Sequence, residues 1–151
     1  MLQRLLRPSI WLILAIYLIL AVAYSLASPI FETPDEIHHV YFVKYLAETH
    51  TLPVLGTETA AGEQALYGQE GGQPPLYYAI GAAIISGVDT EGPPPERNPH
   101  VSMGNPLQPG NKNLIIHSPD EAWPWHGLPL AVHLLRFFSI LLGAGTLFFV
   151  W

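Results

Sequence analysis

The stretch SIWLILAIYLILAVAYSLAS, Ser9 to Ser28, decides how the rest of the chain is read. It has no charge and no proline, and from Ile10 to Tyr24 it is apolar throughout. At about 1.5 Å of helical rise per residue, such a run covers the roughly 30 Å hydrocarbon core of a bilayer. This predicts a transmembrane helix over 9–28, preceded by a short cytoplasmic amino terminus over 1–8. A cleaved signal peptide is the alternative: Arg4 and Arg7 form a basic leader, and Ser25-Leu26-Ala27 resembles a small-residue cleavage site. Against it stands the length of the run, which exceeds the ~7–15 apolar residues usual in a signal peptide.

The composition agrees with a membrane setting. Of 151 residues, 50% are hydrophobic and 12% charged, about half the charge content of an ordinary soluble domain. Six Lys and Arg scattered along a chain of net charge −6 exclude a nucleic-acid binder, which needs clustered cations. The absence of cysteine excludes disulfide scaffolds, thiol catalysis and cysteine zinc sites.

A second apolar segment, 128–151, is interrupted only by His133 and Arg136 and reads as another transmembrane helix. Its apolar run reaches Trp151 without a basic flank, which reads as the front piece of a longer chain whose further helices are partners of this one. All twelve acidic residues lie between Glu32 and Glu121, among only three basic ones, Lys44, Arg97 and Lys112, so the intervening segment 29–127 carries a net charge of −9. With Arg4 and Arg7 ahead of the first helix, the positive-inside rule puts that segment outside the cytoplasm, facing the periplasm or exterior of a prokaryotic plasma membrane. The fold class is therefore an all-α membrane protein, two transmembrane helices around a long outer loop with short interfacial helices.

Within the loop, FETPDEIHH at 31–39 opens a helix expected over 34–49: Thr33 suits the N-cap, Pro34 the first turn, and Glu36 the capping-box position. The same pattern recurs at Ser118-Pro119-Asp120-Glu121. A second motif, EGGQPPLYY at 70–78, leads into an apolar stretch too short to span, expected as an interfacial helix over 74–88. From Asp89 to Asn113 there are six prolines, three glycines and four asparagines, which predicts an irregular, mobile loop within 89–127.

Chemistry can be placed on three of these features. Asp35 and Glu36 sit at the outer mouth of the first helix, where a membrane-borne substrate meets an aqueous one, and His39 shares a helix face with Asp35. A carboxylate there suits a general base on a hydroxyl, with His39 orienting the acceptor. Metal binding by Asp35, Glu36, His38 and His39 is the rival chemistry, although H-E-x-x-H is absent and adjacent helical residues diverge by about 100°. Glu70 and Gln73 are polar groups at the rim of a site. Arg136, in an apolar helix, either snorkels to headgroups or contacts a phosphate.

In this order the motifs PDE at 34–36, QPPLYY at 73–78 and HLLRFFSILLGAG at 133–145 resemble the amino-terminal region of the GT-C superfamily of polytopic membrane glycosyltransferases. Relatives in that superfamily include the protein O-mannosyltransferases and the aminoarabinose transferases that modify lipid A. The likeness is greatest to bacterial and archaeal members with F-E-x-P-D-E-x-x-H openings. The resemblance implies a GT-C fold, a polyprenyl-phosphate sugar donor and no cofactor, a divalent metal being left open. It makes Asp35 the catalytic base, with Glu36 beside it shaping the site, and His39, Glu70, Gln73 and Arg136 substrate-binding. Several of those families carry Lys or His before the proline pair, where this chain has Gln73, so Arg136 or other segments are left to bind the donor phosphate. The alternative from another class is a small, non-catalytic two-span protein whose outer loop binds a partner or a cation.

Overall fold

The computed structural model describes residues 9–54, 66–101, 107 and 112–151. The amino terminus with Arg4 and Arg7, and parts of the segment 29–127, lie outside the described residues. Among the described residues four α-helices form the architecture: α1 (Ile10–Ala27), α2 (Glu36–Thr49), α3 (Leu76–Ile85) and α4 (Gly127–Val150). Single 3-10 turns cover Gly68–Gly72 and Pro119–Glu121. There is no strand among the described residues, and an isolated antiparallel bridge joins Arg97 to Ile115 in the proline-rich loop.

Helices α1 and α4 are each long and apolar enough to cross a membrane. Ser9 starts α1 by accepting the Leu12 N–H on its hydroxyl, which satisfies one of the donors a helix start leaves open. The two helices meet where α4 carries Gly143: a Cβ there would overlap the Tyr17 ring and hydroxyl. That hydroxyl donates to the Ile140 carbonyl at 3.2 Å. A small residue thus lets a polar side chain reach backbone inside an apolar helix pair. Only Ser25 of α1 is buried, and Trp11, Ile16, Ile19 and Leu20 face outward.

The core lies at one end of this pair, among α2, α3 and the first turns of α4. Tyr78, Gly81, Ala82 and Ile85 form the inner face of α3 at the i, i+3, i+4, i+7 spacing of a buried stripe. Gly81 brings the α3 backbone so close that a Cβ would lie 3.0–3.1 Å from Leu135 and Val43. Phe42 of α2, fully buried, packs on the Tyr78 ring with centroids 4.1 Å apart. The helix expected over 74–88 therefore runs from Leu76 to Ile85, with one face in the core.

The start of α2 also departs from the expectation of 34–49. The helix begins at Glu36, and its N-cap is Asp35, with φ +59° and no side-chain cap. Glu36 does not cap Thr33, because its carboxylate is drawn to stronger partners, the Phe31 N–H and Arg136. At the repeat of the pattern the Glu121 carboxylate does reach back, accepting the Ser118 N–H at 3.3 Å.

Candidate functional site

The site is built around one arginine. Arg136 Nε donates to Glu36 Oε1 at 2.6 Å and one terminal nitrogen to Glu36 Oε2 at 2.8 Å. Its remaining N–H groups go to the carbonyls of Ser25, Ser28 and Pro29 at 2.6–2.9 Å. These five bonds use every donor a guanidinium has. The pair is nearly buried, with side-chain exposures of 10% and 12%. Three of the bonds satisfy carbonyls at the end of α1, where a helix leaves acceptors unpaired and favours a cation. Glu36 Oε2 also accepts the Phe31 N–H at 2.7 Å. Arg136 and Glu36 together join α1, α2 and α4 at one point, and Arg136 holds backbone on both sides of the Ala27–Ser28 bond.

Beside this joint lies a cavity of about 570 Å³. Pro34, Glu36 and His39 of the first motif, Gln73 and Tyr78 of the second, and Arg136 all reach its wall. Its apolar side runs down between α1 and α4 past Ala21, Val132 and Ile140. Three motifs far apart in sequence thus converge on one concave surface, mostly apolar with a few convergent polar groups, the usual make-up of a ligand site.

Those polar groups are linked. The Tyr78 hydroxyl donates to Gln73 Oε1 at 2.8 Å, and Gln73 Nε2 faces Glu70 Oε2 at 3.5 Å. His39 Nδ1 lies 2.8 Å from the Tyr78 hydroxyl. Glu70 is buried behind Gln73. Burial, then the charges of Glu70 and Tyr77, raise the Tyr78 phenol above its ordinary pKa, so it keeps its proton and acts as a donor.

Asp35 stands apart from this network. It is exposed, its carboxylate has no hydrogen-bond partner among the described residues, and the cavity wall is formed by its neighbours Pro34 and Glu36. The backbone around it is unusual: Phe31 and Asp35 both have positive φ, +64° and +59°. A bulky Phe in that region is rare and is held only where the surroundings over-determine it. Here the Phe31 side chain is buried and its N–H is bound by Glu36.

The four candidate metal ligands do not come together. Glu36 is taken by Arg136, His38 Nδ1 donates to the Leu66 carbonyl at 2.6 Å, and His39 turns to Tyr78. Among the described residues no group of three or more His, Cys, Asp or Glu is placed to hold a metal ion. Sequence reasoning missed Tyr78 as a site residue, because it lies in a stretch that reads simply as an interfacial helix. It also missed Ser25, whose hydroxyl is buried at the cavity wall without a hydrogen bond. Nothing in a run of apolar residues signals that one serine will face a cavity.

A second cluster holds the α3–α4 loop to the α1–α2 connection. Glu32 accepts the Leu114 and Ile115 N–H groups at 2.8 and 3.0 Å. His117 bridges Glu32 at 2.9 Å and Glu121 at 2.6 Å. Burial alone would lower the His117 pKa, but its bonds and charge contacts with Glu121 and Glu32 outweigh this and raise it. For Glu32, burial acts upward, and the two backbone bonds and His117 overcome it and hold the carboxyl below its ordinary value.

Comparison with family models, curated proteins and solved structures finds no match to this chain.

Proposed function

We propose that this chain is the amino-terminal portion of an integral membrane glycosyltransferase, moving a sugar from a polyprenyl-phosphate donor to an acceptor hydroxyl on the outer side of the membrane. The observation that carries the reading is the convergence of the 34–39, 73–78 and 136 motifs on one cavity. The apolar wall between α1 and α4 suits a lipid carrier, and the polar groups above it suit a sugar. The strongly acidic loop, following a basic amino terminus, supports an extracytoplasmic site in a prokaryotic plasma membrane.

In this reaction the acceptor oxygen attacks the anomeric carbon with inversion, the bond from that carbon to the phosphate oxygen breaks, and polyprenyl phosphate leaves. The acceptor's proton passes to Asp35, an exposed carboxylate between the wall residues Pro34 and Glu36 that has no partner among the described residues to neutralise it. Glu36 and Arg136 serve the site by holding its walls, and with Arg136 fully engaged, the donor phosphate draws its counter-charge from elsewhere.

Reconstitution of the full-length protein with a polyprenyl-phosphate sugar tests this. Asp35→Asn is expected to lower transfer by about 10²–10⁴-fold, the span of general-base catalysis, with membrane insertion unchanged. Normal turnover by that variant would overturn the base assignment, and absence of transfer by the unaltered protein would overturn the reaction.

A further inference from the structure

The hydrogen bonds around His39 have a direction that follows from donor arithmetic. Gln73 presents its amide nitrogen to the Glu70 carboxylate, since the reverse orientation would set a carbonyl oxygen against carboxylate oxygens. Gln73 Oε1 therefore faces Tyr78 and accepts the only proton the phenol has. The Tyr78 oxygen is left as an acceptor, so the 2.8 Å contact with His39 requires the imidazole to carry its proton on Nδ1. In the neutral ring Nε2 is then an unprotonated lone pair. Nε2 has no hydrogen bond among the described residues, and His39 lies on the cavity wall.

The other polar groups at this end point the same way. Glu36 and Arg136 satisfy each other, and Arg136 has no N–H to spare. Among the described residues no other Lys or Arg lies on the wall. A phosphate entering here would meet acceptors and no free donor cation, whereas a hydroxyl would find a lone pair waiting. The buried, unpartnered Ser25 hydroxyl on the same wall can complement such a ligand as donor or acceptor.

We infer that the polar end of the cavity recognises the hydroxyl groups of an uncharged sugar or polyol, with His39 Nε2 as an obligate hydrogen-bond acceptor held in register by Tyr78, Gln73 and Glu70. This deepens the proposed function by saying which part of the reactants sits here, and rests on it only for the lipid side of the cavity. Tyr78, Gln73 and Glu70 are positioning residues: Tyr78 bonds His39, Gln73 fixes the direction of the Tyr78 proton, Glu70 orients the Gln73 amide, and the chain of bonds sets the His39 tautomer.

The test uses the full-length protein in lipid nanodiscs with isotope-labelled histidine, read by nitrogen NMR under alkaline conditions in which the neutral imidazole is observed. His39 is expected to show a protonated Nδ1 and a bare Nε2. Tyr78→Phe keeps the ring that packs on Phe42 and removes the acceptor, and is expected to move the proton to Nε2; Gln73→Ala is expected to loosen the preference without touching the core. Decyl glucoside should shift the His39 Nε2 resonance, with affinity falling about tenfold in Tyr78→Phe, the worth of one well-placed hydrogen bond. Decyl phosphate, of the same chain length, should leave the resonance unmoved. A protonated Nε2 in the unaltered protein, or decyl phosphate binding at His39 as well as decyl glucoside does, overturns the inference. A protein with the expected tautomer and glucoside binding but no sugar transfer overturns the transferase reading and leaves this one standing.

Discussion

The two ends of the molecule handle apolar side chains in opposite ways. At one end, Val40, Phe42 and Val43 of α2, the inner face of α3 and Ala131, Val132 and Leu135 of α4 cover one another. Along the rest of α1 and α4 the large apolar groups face away from the protein, with Phe149 and Val150 more than four-fifths exposed. Burial at about 25 cal/mol per Å² stabilises the first region from within. The second leaves the same driving force unspent until lipid or another helix covers it. Similar residue types thus have different roles, and the Arg136–Glu36 pair is the joint between the regions.

The largest effect is expected at that joint. Arg136→Leu keeps bulk but strands Glu36 and three carbonyls, and should cost about 3–5 kcal/mol, the usual penalty for breaking a buried pair. Denaturant unfolding in nanodiscs measures it. Adding Glu36→Leu should recover part of the loss, and no recovery would mean that the carbonyl contacts dominate.

Leu141→Asp probes the second region. Leu141 is 66% exposed; if lipid covers it, the substitution should cost about 2.5–3.5 kcal/mol in an insertion assay. An effect within about 0.5 kcal/mol, normal for a water-facing position, would erase the contrast between the two ends.

In the first region, Gly81→Val should cost about 1–3 kcal/mol by overpacking against Val43 and Leu135, read as a fall in thermal midpoint. Gly145, which has nothing within 4 Å of an added Cβ, is the control, and Gly145→Ala should leave the midpoint nearly unchanged.

The smallest effect is the pH dependence of the clamp on the α3–α4 loop. The lowered Glu32 pKa contributes stability above its unfolded value near 4.5 and loses it as pH falls through the lower folded value. The raised His117 pKa contributes fully below its unfolded value near 6.5 and loses it as pH rises through the higher folded value. The clamp is therefore complete between about pH 4.5 and 6.5. Protection of the Leu114 and Ile115 amides from hydrogen exchange, taken relative to the intrinsic rate at each pH, should be greatest in that window, and His117→Asn should flatten the alkaline side at a cost on the order of 1 kcal/mol.

Much of this was legible in the chain itself. The uncharged runs after Ser9 and after Arg136 could only be apolar helices, because helix length and hydrophobicity are local properties. The prolines at 74 and 75 and the Thr-Pro-Asp-Glu opening placed α3 and α2 to within a few residues for the same reason. The first turn of α2 was misjudged, since capping rules count neighbours in sequence and Glu36 found Arg136, a hundred residues away. His39, Gln73 and Arg136 were legible as polar groups near apolar helices, and Tyr78 was hidden by looking like an ordinary interfacial tyrosine.

By itself the sequence determined which segments are helical, how apolar each is, and where charge is concentrated, for these depend on composition and short-range periodicity. Only the tertiary structure decided that Arg136 is saturated, that Asp35 stands free of the network, and that His39 presents a lone pair. Each of those depends on which donor meets which acceptor, and hydrogen-bond valence is settled by contacts between residues that spacing along the chain does not relate.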